Sequence, residues 1–214
     1  MKLLHVDASP KRERSSSRAL ARHFLDRLGD RTTLEIDYLD VTVDTPPHVT
    51  EAFAIATYTP EENRTQAMRD TLAHSDALCR RLLDAEALLF AMPMYNFSVP
   101  SAFKAFIDHI VRTNVTYKAD SDGNYVGQLA RQKTLFITTR GADLRPGGAF
   151  EAYDALTPAL RAAFGFMGVA KPWFVDAQPL QFADQDARNA GMERARAELD
   201  AVALEWATEK AAAA

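Results

Sequence analysis

The chain has 214 residues, of which 47% are hydrophobic and 25% are charged, a size and composition typical of one large globular domain. We therefore interpret residues 1–214 as a single domain. The formal net charge of −4 gives no reason to expect nucleic acid or an anionic membrane as a partner.

Three sequence features favour a cytoplasmic protein. Cys79 is the single cysteine, so an intramolecular disulfide is excluded and a reducing compartment is favoured. No apolar run approaches the roughly 20 residues that a membrane-spanning helix needs. The chain enters a predicted strand at once, without the apolar region of a signal peptide.

The first half of the chain alternates apolar strand patterns with amphipathic helical patterns. The stretch 40–58, which contains Pro46 and Pro47, is predicted to be a long irregular connection. Thr59 and Glu62 have the spacing of a capping box, so a helix is predicted from there to near Asp84. The other predicted elements are strands at 2–7, 33–39 and 87–92 and a helix at 15–28.

The second half continues this alternation after one interruption. A helix is predicted from near Pro100 to 111, and the pattern is then lost from 113 to 131. Segments 115–117 and 125–126 are expected to form a small hairpin around a turn at 120–124. Further predicted elements are strands at 133–139 and 169–176 and helices at 151–167 and from 183 to about 210.

The alternation of strands and helices predicts an α/β fold with a parallel sheet and helices on both of its faces. The second strand alternates polar and apolar residues, and the fifth contains Pro172, so both are expected at the sheet edges. These features predict a doubly wound five-stranded sheet in the flavodoxin-like order 2-1-3-4-5.

The segment after the first predicted strand is rich in serine and basic residues. It contains Ser9, the serines at 15–17, and Lys11, Arg12, Arg14 and Arg18. Because a helix N-terminus presents unpaired N–H groups, this segment is a candidate phosphate cradle. The alternative is a helix cap followed by a solvated basic loop. No G-x-G-x-x-G motif is present, so a dinucleotide fingerprint is absent.

Two further segments follow the predicted central strands. The turn from Met94 to Phe97 offers flat apolar groups and one amide, and the turn from Thr139 to Ala142 contains a glycine. The alternatives are a plain connector with buried aromatic residues and a turn whose glycine supplies a positive φ. Because ligands bind at the carboxyl ends of parallel strands, the three segments together predict a site for a mononucleotide with a planar ring, and FMN fits this description.

Several motifs resemble the FMN-dependent NADH-azoreductase family, a group of flavodoxin-like NAD(P)H quinone reductases. They are Ser9 with the serine-rich 15–17 segment, Met92-Pro-Met-Tyr-Asn-Phe97 with Lys104 and Phe106, Thr139-Arg-Gly141, Leu156-Thr-Pro158 and Phe164-Gly-Phe-Met-Gly168. The resemblance extends over nearly the whole chain. Two departures affect the implied FMN site: Ala142 stands where the family often has a second glycine, and the serine triplet differs at its middle residue, Ser16.

This resemblance implies a homodimer with one FMN per subunit near the interface. It also implies ping-pong, two-electron reduction of quinones by NADH or NADPH and reductive cleavage of aromatic azo bonds to amines. By match, the phosphate end of FMN would contact Ser9 and the serine triplet, and its ring would contact the other two turns. The implied cofactor-binding residues are Ser9, Ser15, Ser16, Ser17, Met94, Tyr95, Asn96, Phe97, Thr139, Arg140, Gly141 and Ala142.

The cofactor would supply the chemistry, so no catalytic side chain is predicted. Asn96 and Gly141 are candidates for tuning the flavin. Tyr117 and Phe150 are expected to line the substrate site, either in their own subunit or from the partner subunit. The histidines lack metal-ligand spacing, so no metal is predicted. A flavodoxin-type electron carrier without its own substrate remains an alternative, as does a binder of a non-flavin mononucleotide or of phosphate.

Overall fold

The computed structural model of the chain describes residues 1–212, with side chains described for residues 1–208. Strands and helices alternate through most of it. The strands are β1 (Lys2–Asp7), β2 (Glu35–Asp40), β3 (Ala87–Pro93), β4 (Tyr117–Ala119), β5 (Tyr125–Gly127), β6 (Lys133–Thr139) and β7 (Trp173–Ala177). The helices are α1 (Ser16–Gly29), α2 (Glu51–Tyr58), α3 (Gln66–Asp84), α4 (Ser101–Ile110), α5 (Leu156–Phe166) and α6 (Gln185–Ala212).

The main sheet is parallel and has the strand order β2-β1-β3-β6-β7. When the separate hairpin of β4 and β5 is set aside, this is the predicted order 2-1-3-4-5. Both predicted edges are confirmed. β2 leaves Ile36 and Tyr38 about half exposed, and Pro172 lies just before β7, where no ladder hydrogen bond is lost.

The central strands are buried on both faces. In β1, Leu4 and Val6 pack into a core with α3, α4 and α5, whereas Leu3 packs into a second core with α1 and α6. β3 alternates in the same way, with Phe90 on the first side and Leu89 on the second. Each such side chain contributes about 1.5–3 kcal/mol through burial, so both helix layers are firmly attached to the strands that position the loops.

The connection from β2 to α3 differs from the prediction. The stretch 40–58 is not wholly irregular, because it contains α2, whose first turn is capped by the Thr50 side chain accepting the N–H of Phe53 at 3.2 Å. Thr59 does not begin the next helix, since its hydroxyl donates to the carbonyl of Ile55 at 2.8 Å. The helix α3 begins only after Thr65, which supplies the cap.

Three later boundaries also differ. The predicted helix 151–167 is interrupted because the Asp154 carboxylate accepts the N–H groups of Leu156 and Thr157, at 3.1 and 3.0 Å, and α5 begins there. The predicted strand 169–176 is regular only from Trp173. The predicted hairpin is present, but its first strand begins at Tyr117, two residues later than the predicted start at 115. No helix within the described residues combines the length and the apolar character needed to cross a bilayer.

Candidate functional site

The loops that follow β1, β3, β6 and β7 line one open cleft of about 580 Å³ at the carboxyl edge of the sheet. All of the predicted cofactor residues except Ser17 are part of its lining. Those that line it are Ser9, Ser15, Ser16, Met94, Tyr95, Asn96, Phe97, Thr139, Arg140, Gly141 and Ala142. The three segments chosen from the sequence therefore meet at one place, as the parallel strand order requires.

The three serines at the start of α1 have different surroundings. Ser15 is the N-cap, and its Oγ accepts the N–H of Arg18 at 3.3 Å. Ser17 is fully buried beside it, with its Oγ 3.1 Å from that of Ser15. The Ser16 hydroxyl lines the cleft and has no hydrogen-bond partner in the described part of the chain. Ser15 therefore stabilises the helix, while Ser16 is available to a ligand.

Arg18 fixes the loop that carries Ser9. Its Nε and Nη2 atoms donate to the Ser9 carbonyl at 3.1 and 2.7 Å, and Nη2 also donates to Asp40 at 2.7 Å. The Asp7 carboxylate lies 3.3 Å from Nη1, which donates to the Tyr38 hydroxyl at 2.9 Å. Burial and the neighbouring Asp7 carboxylate raise the pKa of Tyr38 to about 12, so the phenol stays protonated. These contacts join residues that are far apart in the sequence, and together they hold the loop after β1 in one conformation.

Two cations complete the end of the cleft beside α1. Lys11 and Arg14 are exposed and line the cleft. Neither forms an ion pair with a carboxylate among residues 1–208. Together with the free N–H groups of the first turn of α1, they give this end of the cleft a positive character suited to a phosphate.

The turn after β3 has a strained backbone. Tyr95 and Ser98 exchange both N–H···O hydrogen bonds at 3.0 Å, and the two residues between them have positive φ angles, 46° at Asn96 and 69° at Phe97. This is the pattern of a type I′ turn, which asparagine tolerates but which costs a phenylalanine about 1–2 kcal/mol. The conformation exposes half of the Phe97 ring and leaves the Asn96 amide without a partner in the described residues.

The turn after β6 is tied to its neighbours on both sides. The Thr139 carbonyl accepts the N–H of Met94 at 2.8 Å, and the Arg140 N–H donates to Ala177 at 3.0 Å. Arg140 itself forms its hydrogen bonds within the chain. Its carbonyl accepts the N–H of Leu180 at 3.0 Å, and its buried guanidinium is bonded to Asp154 at 2.8 Å and to Thr157 at 2.7 Å.

The Arg140 side chain therefore has a structural role. Burial alone would raise the pKa of Asp154, but hydrogen bonds from Thr157 and Arg140 lower it overall. The Asp176 carboxylate lies on the same guanidinium at 3.3 Å, so one arginine connects β6, β7 and the start of α5. The sequence analysis placed Arg140 among the cofactor-binding residues, but its N–H is bonded to Ala177 and its side chain is directed into the protein.

Sequence reasoning missed the loop after β7. The N–H groups of Gln181 and Phe182 both donate to the Gly141 carbonyl at 3.0 Å, and this loop forms one wall of the cleft. A Cβ on Gly141 would lie 3.0 Å from the Gln181 Cβ and 3.1 Å from the Phe182 ring, so glycine permits this close approach. This wall could have been predicted from the sheet order, because the fifth strand also ends at this edge of the sheet.

The two predicted substrate residues lie outside the cleft of their own chain. Tyr117 packs on the hairpin against Phe166, with ring centroids 4.6 Å apart. Phe150 is half exposed and lies 6.2 Å from the ring of Tyr153, which is 5.3 Å from that of Phe97. An aromatic path thus leads from Phe150 to the cleft, whereas the described ring contacts of Tyr117 stay within the hairpin and Phe166.

The residues present fit FMN at both ends of the cleft. One end has the Ser16 hydroxyl and the uncompensated charges of Lys11 and Arg14, which suit a phosphate. The other has the exposed ring of Phe97 and the free amide of Asn96, which suit a planar heterocycle with polar edges.

The fold and this cleft define a flavodoxin-like protein. A family model described as the flavodoxin-like fold matches residues 1–203, and the chain belongs to this family. The family resemblance inferred from the sequence motifs is thereby confirmed at the level of the fold, and the relatives below agree with it.

The chain is similar to proteins of known name over most of its length. An FMN-dependent NADH:quinone oxidoreductase from Nostoc punctiforme is 37% identical over 205 residues, which are 95% of this chain and 98% of that protein. An FMN-dependent NAD(P)H:quinone oxidoreductase from Pseudomonas aeruginosa is 40% identical over 183 residues, 83% of this chain and 86% of that protein.

A solved structure shares the same fold. An FMN-dependent NADH-azoreductase from Bacillus anthracis, crystallised in complex with FMN, superposes with a TM-score of 0.84 at 22% identity. The match covers 96% of this chain and 99% of that chain. At this level of identity, the likeness concerns the arrangement of strands and helices.

Proposed function

We propose that this chain is an FMN-dependent NAD(P)H:quinone oxidoreductase that also cleaves aromatic azo compounds to amines. The observation that carries the proposal is the convergence of three loops on one cleft, with a phosphate-compatible end and an aromatic end. The names of the relatives that match almost the whole chain support the same activity. The single cysteine, which is buried, fits a role in the reducing cytoplasm.

FMN, when bound, supplies the two-electron chemistry that connects the donor to the acceptor. The chain's residues bind and orient it. Ser16, Lys11 and Arg14 hold the phosphate, and the turn at Asn96 and Phe97 contacts the ring. The cleft is open on one side, so a reduced nicotinamide and an aromatic acceptor can use the same face in turn, which is the requirement for a ping-pong cycle.

The backbone is expected to do much of the binding. Backbone hydrogen bonds between neighbouring loops, Met94 to Thr139 and Arg140 to Ala177, fix the turn after β6. Gly141 and Ala142 are therefore held in position without help from the ligand. Preorganised N–H donors are effective for stabilising charge that develops on a ligand during reaction. Asn96 adds an amide that can bond to either donor or acceptor atoms of a heterocycle.

The active form in this proposal is a homodimer. Exposed aromatic side chains surround the cleft, including Phe97, Phe150, Tyr153 and Phe182. Exposed apolar surface of this kind marks interfaces, and ligand sites occur preferentially at such boundaries. In a dimer, Tyr117 or Phe150 would reach the substrate side of the partner's cleft and influence which acceptors fit.

Steady-state oxidation of NADH or NADPH by the FMN-loaded protein tests this function. The oxidation should depend on added quinone, proceed with parallel-line kinetics in both substrates, and also proceed with an aromatic azo dye. A protein that holds FMN but does not oxidise either nicotinamide in the presence of quinone would instead be an electron carrier of the flavodoxin type.

A further inference from the structure

A second groove lies beside the candidate cofactor cleft, with a volume of about 790 Å³. It lies between the loop after β1, the first turns of α1 and the edge strand β2. Lys11 and Arg14 belong to the lining of both the cleft and this second space, which we call the basic groove. A ligand could therefore extend from one into the other past these two side chains.

The basic groove contains cations that the protein itself does not neutralise. Lys11, Arg12, Arg14 and Arg22 all line it and are all exposed. None of the four forms an ion pair with a carboxylate in the described part of the chain. Arginine is the side chain best matched to phosphate, because its planar fork can donate two parallel hydrogen bonds.

The carboxylates of the basic groove do not cancel this charge. Asp7 and Asp40 line it and share the single positive charge of Arg18, at 3.3 and 2.7 Å. Glu13 is the remaining carboxylate of the lining and is exposed. The five basic side chains of the lining, Arg18 included, exceed its three carboxylates by two, so an excess of positive charge is left for a ligand.

One wall of the basic groove presents a flat ring. Tyr38 is 50% exposed, and its hydroxyl is fixed by hydrogen bonds to Asp7 at 3.0 Å and from Arg18 at 2.9 Å. A ring that is fixed at its hydroxyl loses little conformational entropy when a planar base stacks on it. The basic groove thus combines phosphate-binding cations with a stacking surface.

We propose that the basic groove binds the adenosine phosphate end of the nicotinamide donor, with adenine on Tyr38 and phosphates on Arg12 and Arg22. This inference rests on the proposed function and deepens it. The 2′-phosphate of NADPH adds a further anionic group that Arg12 and Arg22 can bind, which gives NADPH an advantage over NADH. Lys11 and Arg14 lie between the two spaces, where the cofactor phosphate and the donor pyrophosphate approach each other.

The test compares the R12Q/R22Q double variant with wild type, both loaded with FMN. These arginines line the basic groove but not the cofactor cleft, so the visible flavin spectrum should not change. The KM for NADPH should rise about tenfold, the combined effect of two exposed charge-assisted contacts, and that for NADH should rise less. The KM for reduced nicotinamide mononucleotide, which lacks the adenosine half, and all kcat values should stay unchanged.

Arg80→Gln is the matched control. Arg80 is an exposed arginine of α3, on the opposite face of the sheet from α1, and its loss changes the net charge without touching the basic groove. A binding measurement complements the kinetics. Calorimetry on the FMN-loaded protein should give a higher affinity for 2′,5′-ADP than for 5′-ADP in wild type and R80Q. The binding of 2′,5′-ADP should be lost in R12Q/R22Q.

Distinct results separate the two proposals. Unchanged KM values for both dinucleotides and unchanged 2′,5′-ADP binding in R12Q/R22Q would overturn the assignment of the basic groove. An increase confined to the KM of a sulfonated azo dye would also overturn it and would assign the groove to the acceptor. Failure of the wild-type FMN-loaded protein to oxidise any nicotinamide donor would instead refute the proposed function.

Discussion

Replacing Ser16 by alanine separates phosphate binding from helix capping. The Ser15 side chain caps α1 by accepting the N–H of Arg18 and also contacts Ser17, so changing either of these serines disturbs the helix start. The Ser16 hydroxyl lines the cleft and makes no hydrogen bond to the described residues. Its removal should therefore affect a ligand and leave the fold intact.

The expected magnitude follows from these contacts. A hydrogen bond to a charged group contributes about 1.5–3 kcal/mol, and the low end applies to a half-open cleft. Loss of the Ser16 hydroxyl should then raise the FMN dissociation constant about tenfold, because ~1.4 kcal/mol corresponds to a factor of ten. The free energy of unfolding of the apoprotein should change by less than about 0.5 kcal/mol.

Ser15→Ala is the contrasting variant. It removes the cap and should reduce the free energy of unfolding by about 1 kcal/mol. Any loss of FMN affinity in that variant therefore includes a contribution from the displaced helix start, which Ser16→Ala avoids.

Titration of each apoprotein with FMN and with riboflavin, followed by flavin fluorescence, measures the effect. Riboflavin lacks the phosphate, so its affinity should be the same for wild type and Ser16→Ala. Urea unfolding of the same samples supplies the stability comparison. Equal losses for both ligands, or an FMN affinity unchanged from wild type, would refute the assignment of the phosphate to the start of α1.

Four further predictions concern other parts of the site. Asn96→Leu should weaken FMN binding or slow its reduction without unfolding the chain, and unaltered affinity and turnover would remove this amide from the site. Phe97→Gly should be more stable than Phe97→Ala by about 1 kcal/mol in urea, because only glycine adopts the positive φ of 69° without strain; equal stabilities would contradict the strained turn. Burial would raise the pKa of Asp40, but hydrogen bonds from Thr42 and Arg18 lower it below 3.8, so its contribution to stability is present above that pH and is lost as pH falls through the lowered value. In Arg18→Met, the loss of stability on acidification, followed by circular dichroism, should begin at higher pH. An acid transition at the same pH as in wild type would count against the pairing of Arg18 with Asp40. Tyr117→Ala should change the ratio of turnover with bulky azo dyes to turnover with small quinones, whereas an unchanged ratio would place the hairpin away from the substrate.

The sheet and the position of the cleft could be predicted because they follow from patterns repeated along the chain. Phe90 and its neighbours form an apolar run without alternation, which requires burial on both faces and therefore a central strand. Once the strand order was fixed, the loops after three central strands had to meet at one edge. Local residue types such as the Ser15 cap were sufficient to place α1.

The sequence was less informative where long-range contacts decide the structure. The Arg140 side chain is directed into the protein by Asp154 and Asp176, which no local pattern reveals. The wall formed by Gln181 and Phe182 depends on their hydrogen bonds to Gly141, forty residues earlier in the chain. Thr59 has the spacing of a cap, but its hydroxyl is already used by the preceding helix.

The central claim is that the three loops form an FMN site that accepts electrons from a nicotinamide and delivers them to a quinone. The most direct measurement is a titration of the apoprotein with FMN, followed by anaerobic addition of NADPH or NADH and then of quinone, with the visible flavin spectrum recorded throughout. The account predicts saturation at one FMN per chain, bleaching by the nicotinamide and return of the flavin absorbance with quinone. A chain that binds no FMN, or whose bound FMN is not bleached by either nicotinamide, would contradict it.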